Sequence, residues 1–191
     1  MFSTALTFLL NTVLNLLTFL FLLRFFMQLF KAPFNNPLAY MVISLTDFAV
    51  KPVRRIMPSW GKIDLSTLFL ALITQLLLQF CLLWLRDFPF SIAGQSAWLG
   101  LIGMSFLGLL RISLDVFFYT ILLQVILSWV NPHTPIASAL NSLTKPILAP
   151  IQRFIPMAGG MDFSPMVALI FIQMINVSLI KTLEMQLLSL F

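Results

Sequence analysis

One cysteine and one histidine among 191 residues exclude much chemistry at the outset. Cys81 stands alone in an apolar run, so it can form no intrachain disulfide and reads as a small packing residue. With His133 the single imidazole, there is no His/Cys cluster at metal-ligand spacing and no Cys–His dyad. Phosphate-binding and dinucleotide-binding glycine patterns are missing, as is the turn that presents a nucleophilic serine. Asp64 and Asp162 could be imagined as paired carboxylates, yet no neighbouring residues suggest a substrate pocket. No cofactor, metal or enzymatic activity is therefore expected. Charge is scarce as well: 9% of the residues are charged, against roughly 25% in soluble domains. The eleven Lys and Arg exceed the six Asp and Glu by five, but form no basic run interleaved with aromatics. Nucleic acid is thus excluded as a partner.

What remains is apolar, 60% of the chain, too much to keep a soluble surface wet. A membrane helix needs about 20 mostly apolar residues, and four stretches qualify, at roughly 4–30, 66–86, 97–130 and 165–188. The first has no Lys or Arg before Arg24 and no small-residue cleavage site, so it is expected to persist as a span rather than act as a signal peptide. The third, near 50 Å if straight, must tilt, kink or project beyond a core of about 30 Å. Lys and Arg are retained on the cytoplasmic side. Segment 31–64 holds Lys31, Lys51, Arg54, Arg55 and Lys62, and segment 131–164 holds Lys145 and Arg153, against Arg86 and Lys181 opposite. Both long links are therefore expected in the cytoplasm and both termini outside.

The chain repeats itself. A shift of 98 residues lays Pro52, Arg55, Pro58, Gly61, Asp64 and Ser66 over Pro150, Arg153, Pro156, Gly159, Asp162 and Ser164, the shared pattern being P-x-x-R-x-x-P-x-x-G-x-x-D-x-S. The same shift pairs Ser44-Leu-Thr46 with Ser142-Leu-Thr144 and Gln75 with Gln173. Apolar bias alone would match Leu with Leu, not Pro, Arg, Gly and Asp at fixed spacing. The expected fold is an all-α membrane protein: two parallel two-helix repeats, residues 1–96 and 97–191, with one short amphipathic interfacial helix in each link. Asn36-Pro37 and Thr134-Pro135 are expected to cap and start those helices. Pro52 and Pro150 are expected to stop them, and Pro58, Gly61, Pro156 and Gly159 to turn the chain back. Ser66 and Ser164 are placed to cap the returning spans, with Pro165 following and Asp64 and Asp162 just ahead of those positive helix ends.

Two groups of residues are candidate sites. The links carry Arg55 and Arg153 between prolines; each guanidinium either binds a lipid phosphate or acidic partner, or forms an ion pair with Asp64 or Asp162. Within the third span, Arg111 and Asp115 lie four residues apart on one helix face. They stand for a polar site on an ion or proton path, an interhelical lock, or a pair carried out to the interface. The first half has Val13 and Leu17 at the matching positions, so this pair breaks the repeat. Lys181 and Glu184 read as a weak surface pair.

The double P-x-x-R-x-x-P-x-x-G-x-x-D-x-S link between paired spans resembles the YggT (YlmG) family of bacterial and plastid membrane proteins, over nearly the whole chain. Arg54 matches the doubled arginine of the family's motif, where the second copy has Gln152. The resemblance implies association with osmotic-shock tolerance, cell division and envelope organisation, and in plastids with nucleoid distribution and cytochrome cofactor attachment. Two functions are expected from it. One is a non-enzymatic envelope, assembly or scaffold factor whose links bind anionic lipid head groups or a membrane protein partner. The other is a homo-oligomeric ion or small-solute pathway.

Overall fold

The computed structural model describes residues 2–61, 63–89, 94–155 and 162–188. Lys62 and the expected turn residues Pro156 and Gly159 lie outside these. All described elements are helical apart from one isolated bridge: α1 Phe2–Leu29, α2 Pro37–Ile56, α3 Leu65–Leu85, α4 Gln95–Val130, α5 Ala137–Phe154, α6 Ser164–Met174, a π-helical segment Ile175–Ile180, and α7 Lys181–Leu188. Four stretches are long and apolar enough to cross a membrane, at Ser3–Leu29, Leu65–Leu85, Ala97–Val130 and Ser164–Leu187. They match the expected spans to within one or two residues, because a run of about 20 apolar residues has no other soluble or membrane solution of comparable cost. The third span is one unbroken helix of 36 residues. Exposed tryptophans mark its two ends, Trp98 in the first turn and Trp129 in the last, with Trp84 in the last turn of α3 and Trp60 in the first link. Amphipathic rings at such positions suit a membrane–water boundary.

α1 packs most extensively on α3, and α4 touches α1, α3, α5 and the final helix. Rings stitch α1 to α4, with Phe26 and Phe117 centroids 4.6 Å apart. Between α3 and α4 the seam is polar and close. Gln75, 1% exposed, donates to Asn15 Oδ1 and Thr18 Oγ1 of α1, both at 3.1 Å. On its other side, a Cβ added to Gly108 would stand 2.4 Å from Gln75 Oε1. Glycine there is what lets the two helices approach.

The helices outside the four spans differ from expectation at their ends. α2 begins as expected: Asn36 Oδ1 accepts the Ala39 N–H at 3.0 Å with Pro37 in the first turn. α5 does not begin at Thr134-Pro135. A tight turn comes first, in which Ala137 N–H bonds Thr134 O at 3.0 Å, and helical bonding starts at Ile136. Thr134 thus contributes its carbonyl rather than its hydroxyl, which stays buried and unbonded. Pro52 and Pro150 do not stop the helices; both lie inside them, as does Pro146. A proline's fixed φ is itself helical, so each proline removes one backbone hydrogen bond, one in α2 and two in α5, and the helix continues past it. The last turn of each helix closes through Met57 N–H to Val53 O and Ile155 N–H to Ile151 O. α2 buries Ala39, Val42, Thr46 and Val50 against the bundle, while Met41, Leu45 and Phe48 on the adjoining arc are exposed.

Gly108→Ala is expected to destabilise the purified protein by about 1–3 kcal/mol through overpacking. The added cost should shrink when Gln75→Ala is present, since the two side chains compete for one space. Thermal unfolding of the two single variants and the double variant checks this.

Candidate functional site

At the foot of α1, Arg24 turns toward the first link. Its Nη1 donates to Thr46 Oγ1 at 2.7 Å and to Asp47 Oδ1 at 2.8 Å, with its side chain 8% exposed. Lys51 reaches the same carboxylate from one turn on, Nζ to Oδ2 2.8 Å. The Lys51 hydrogen bond, joined by that of Arg24, holds the Asp47 carboxyl below its usual range against the effect of burial. In the second link the corresponding contact is made of amides. Thr144 Oγ1 donates to Gln124 Oε1 of α4, and Gln124 Nε2 donates to Asn141 Oδ1 at 2.7 Å. Arg24 and Gln124 were not singled out by sequence. A lone cation near the end of an apolar run reads as a boundary marker until the helix opposite supplies its partner.

The repeated motif divides its labour in a way the pattern alone did not reveal. Gly61 takes φ +62°, a left-handed conformation that glycine adopts at little cost, while Trp60 and Ile63 exchange backbone hydrogen bonds around it. The chain thus returns to α3 with Asp64 fully buried. The ion pair that is one of the two alternatives for Arg55 belongs instead to its neighbour: Arg54 Nη2 bonds Asp64 Oδ2. In the second copy Gln152 Nε2 donates to Asp162 Oδ2 at 2.8 Å. The ten-residue spacing 54–64 and 152–162 is common to both, so Gln152 is a neutral counterpart of Arg54. Arg55 and Arg153 are exposed and make no hydrogen bond or ion pair among the described residues.

Neither serine caps its helix through its hydroxyl. Ser66 stands one residue past the first helical position, and its Oγ donates back to Met57 O, tying the end of α2 to the start of α3. Ser164 donates its backbone N–H to Asp162 Oδ1 at 2.9 Å, so the aspartate satisfies the first N–H of the helix, and Pro165 follows in the first turn. Burial pushes the Asp162 carboxyl up, but the hydrogen bonds from Ser164 and Gln152 outweigh it and hold the group below its usual range.

Arg111 and Asp115 do not pair with each other. Asp115 Oδ1 accepts from Asn176 Nδ2 at 3.2 Å, and Arg111 Nη1 lies 3.6 Å from Glu184 Oε1. An arginine four residues before its acid is the weaker helical order, and the last helix offers each a facing partner. Glu184 is thereby taken from Lys181, which is exposed. Asn176 sits in the π-helical segment, a distortion that often marks functional positions. Only an isolated asparagine in an apolar run signalled it in sequence.

The sequence model of the family described as CCB3/YggT matches residues 3–85 and 104–183, both pairs of spans with the links between them. The chain belongs to the CCB3/YggT family. An uncharacterized protein of Pseudomonas aeruginosa is 35% identical over 183 residues, covering 95% of this chain and 91% of that protein. The uncharacterized protein YggT of Escherichia coli K12 is 35% identical over 182 residues, covering 94% and 91%. A relative from Haemophilus influenzae is 29% identical over 167 residues, covering 87% and 86%. No solved structure matches the chain. Membership in the CCB3/YggT family brings no reaction with it, since these relatives carry no assigned activity.

Both depressed carboxyls give a pH dependence of one sign. A group whose folded pKa lies below its unfolded value stabilises the fold above about pH 4, and that contribution fades as pH falls through the lowered value. The links around Asp47 and Asp162 are therefore expected to loosen on acidification below about pH 4 and to be indifferent to pH between about 5 and 8. Limited proteolysis of the links across that range checks it.

Proposed function

We propose that this chain is a non-enzymatic, multi-pass protein of the bacterial inner membrane. In this reading its two parallel repeats, 1–96 and 97–191, place both links on the cytoplasmic face, where Arg55 and Arg153 bind anionic lipid head groups and so anchor an envelope or assembly scaffold. One observation carries the reading. In both copies the repeated arginine has no hydrogen-bond or ion-pair partner among the described residues and is followed by a large apolar side chain left bare, Ile56 at 82% and Phe154 at 85% exposure. A guanidinium at phosphate level beside an apolar side chain at the acyl boundary is the pattern of a helix lying on a membrane. α2 and α5 then serve as amphipathic interfacial helices, α2 turning Met41, Leu45 and Phe48 to lipid. Support for the duplication comes from Arg24–Thr46 and Gln124–Thr144, equivalent contacts at or near the 98-residue offset, and from the two separate segments matched by the family model. The family's resemblance-based association with osmotic tolerance suits an envelope role.

A second reading, a homo-oligomeric pathway for an ion or small solute, rests on Asp115 and Asn176 facing each other at membrane depth. Reconstituted vesicles that pass no ion or small solute would eliminate it.

Purified in native lipid, the Arg55→Ala/Arg153→Ala variant is expected to lose most of its co-purifying anionic phospholipid, and Lys at both positions to keep part of it, since lysine retains the charge without the fork. Unchanged anionic lipid together with unchanged co-purifying proteins would sink the scaffold reading. For topology, cysteines at positions 60 and 158 in a Cys81→Ala background are expected to resist membrane-impermeant thiol reagents in intact cells; labelling from outside overturns the cytoplasmic placement.

A further inference from the structure

At the end of the bundle remote from the links, a cleft of about 300 Å³ opens between the close of α3, the first half of α4 and α7. Arg86, Arg111 and Glu184 supply its charge, and Leu82, Leu101 and Met104 part of its apolar wall. Two cations face one acid, so the cleft is positive by one charge. Arg111 stands sixteen residues into α4, and a helical side chain leans toward its own N-terminus. It therefore reaches from within the span toward this end of the bundle, and its side chain is 58% exposed there.

Its hydrogen bonding is incomplete. A guanidinium has five N–H donors, yet Arg111 has no acceptor within hydrogen-bond distance among the described residues; the Glu184 oxygen at 3.6 Å is its nearest anion. Arg24, by contrast, is buried with two acceptors in place. The guanidinium of Arg86, at the exposed end of α3, likewise has no partner among the described residues. An intramembrane arginine left without acceptors is costly, so whatever fills the cleft must bring oxygens and negative charge. It must also cover leucine and methionine.

We propose that this cleft binds an anionic phospholipid of the leaflet remote from the links. Arg111 and Arg86 fork onto the phosphodiester oxygens, and the acyl chains run along Leu82, Leu101 and Met104. Trp84 and Trp98, exposed at the adjoining helix ends, stand at head-group level on either side. Glu184 limits the affinity by competing for Arg111. This site is separate from the links and does not depend on their reading.

The test uses full-length protein carrying Arg55→Ala/Arg153→Ala, which removes the link arginines, delipidated and titrated with phosphatidylglycerol or phosphatidylcholine under native mass spectrometry. Phosphatidylglycerol is expected to bind in preference to phosphatidylcholine. Arg86→Gln should weaken it about tenfold, the loss of one charge-assisted fork. Arg86→Gln/Arg111→Gln should abolish the preference, Glu184→Gln should tighten binding, and inorganic phosphate should fail to displace the lipid. Equal binding of the two lipids, or an unchanged affinity in Arg86→Gln, overturns the proposal. Displacement of lipid by inorganic phosphate overturns it too, in favour of a soluble anion. If Arg111→Gln does not fold, Arg86→Gln on the exposed helix end decides alone. The same titration with Arg55 and Arg153 restored separates failure of the links from failure of the cleft.

Discussion

A guanidinium buried at the foot of the first span holds the first link to the bundle. Arg24 satisfies itself on Thr46 and Asp47 in a setting where an unmet charge would cost more than the fold can spare. That one contact fixes which face of α2 packs inward, because Thr46 lies in line with Ala39, Val42 and Val50. With α2 docked by that face, its far end delivers Arg54 to Asp64 and leaves Arg55 pointing away. The placement of the unpaired arginine is thus a consequence of a partner chosen thirty residues earlier in the chain.

The second half solves the same problem without an ion pair in its link among the described residues. Gln124 and Asn141 stand where ion pairs stand in the first, and Gln152 replaces Arg54. Amide contacts are weaker than ion-paired ones but carry a smaller desolvation cost. What both copies keep is an unpaired arginine beside an exposed apolar side chain.

The spans were legible because apolar run length is a one-dimensional property, and their ends fell within two residues of expectation. Pro52 and Pro150 read as stops because proline lacks an N–H and crowds the preceding turn, but its φ is itself helical, so each helix gives up that bond and runs on. The Asp64 partner was placed one residue off, since alignment marks Arg55 as shared but cannot say which of two adjacent arginines faces inward; that depends on the rotation of α2, set by Arg24. For Arg111 and Asp115, spacing correctly put both on one face. It could not show that the last helix, with Asn176 and Glu184, would offer each a better partner than the other.

The first link's ion pairs also have a place in time. Every partner in them lies between residues 24 and 64, whereas the Gln75–Gly108 seam joins one half to the other. As the chain leaves the ribosome, the charged clamps can close before α4 exists. The later hairpin then meets a finished surface, and its link is held by the side-chain amides of Gln124 and Gln152.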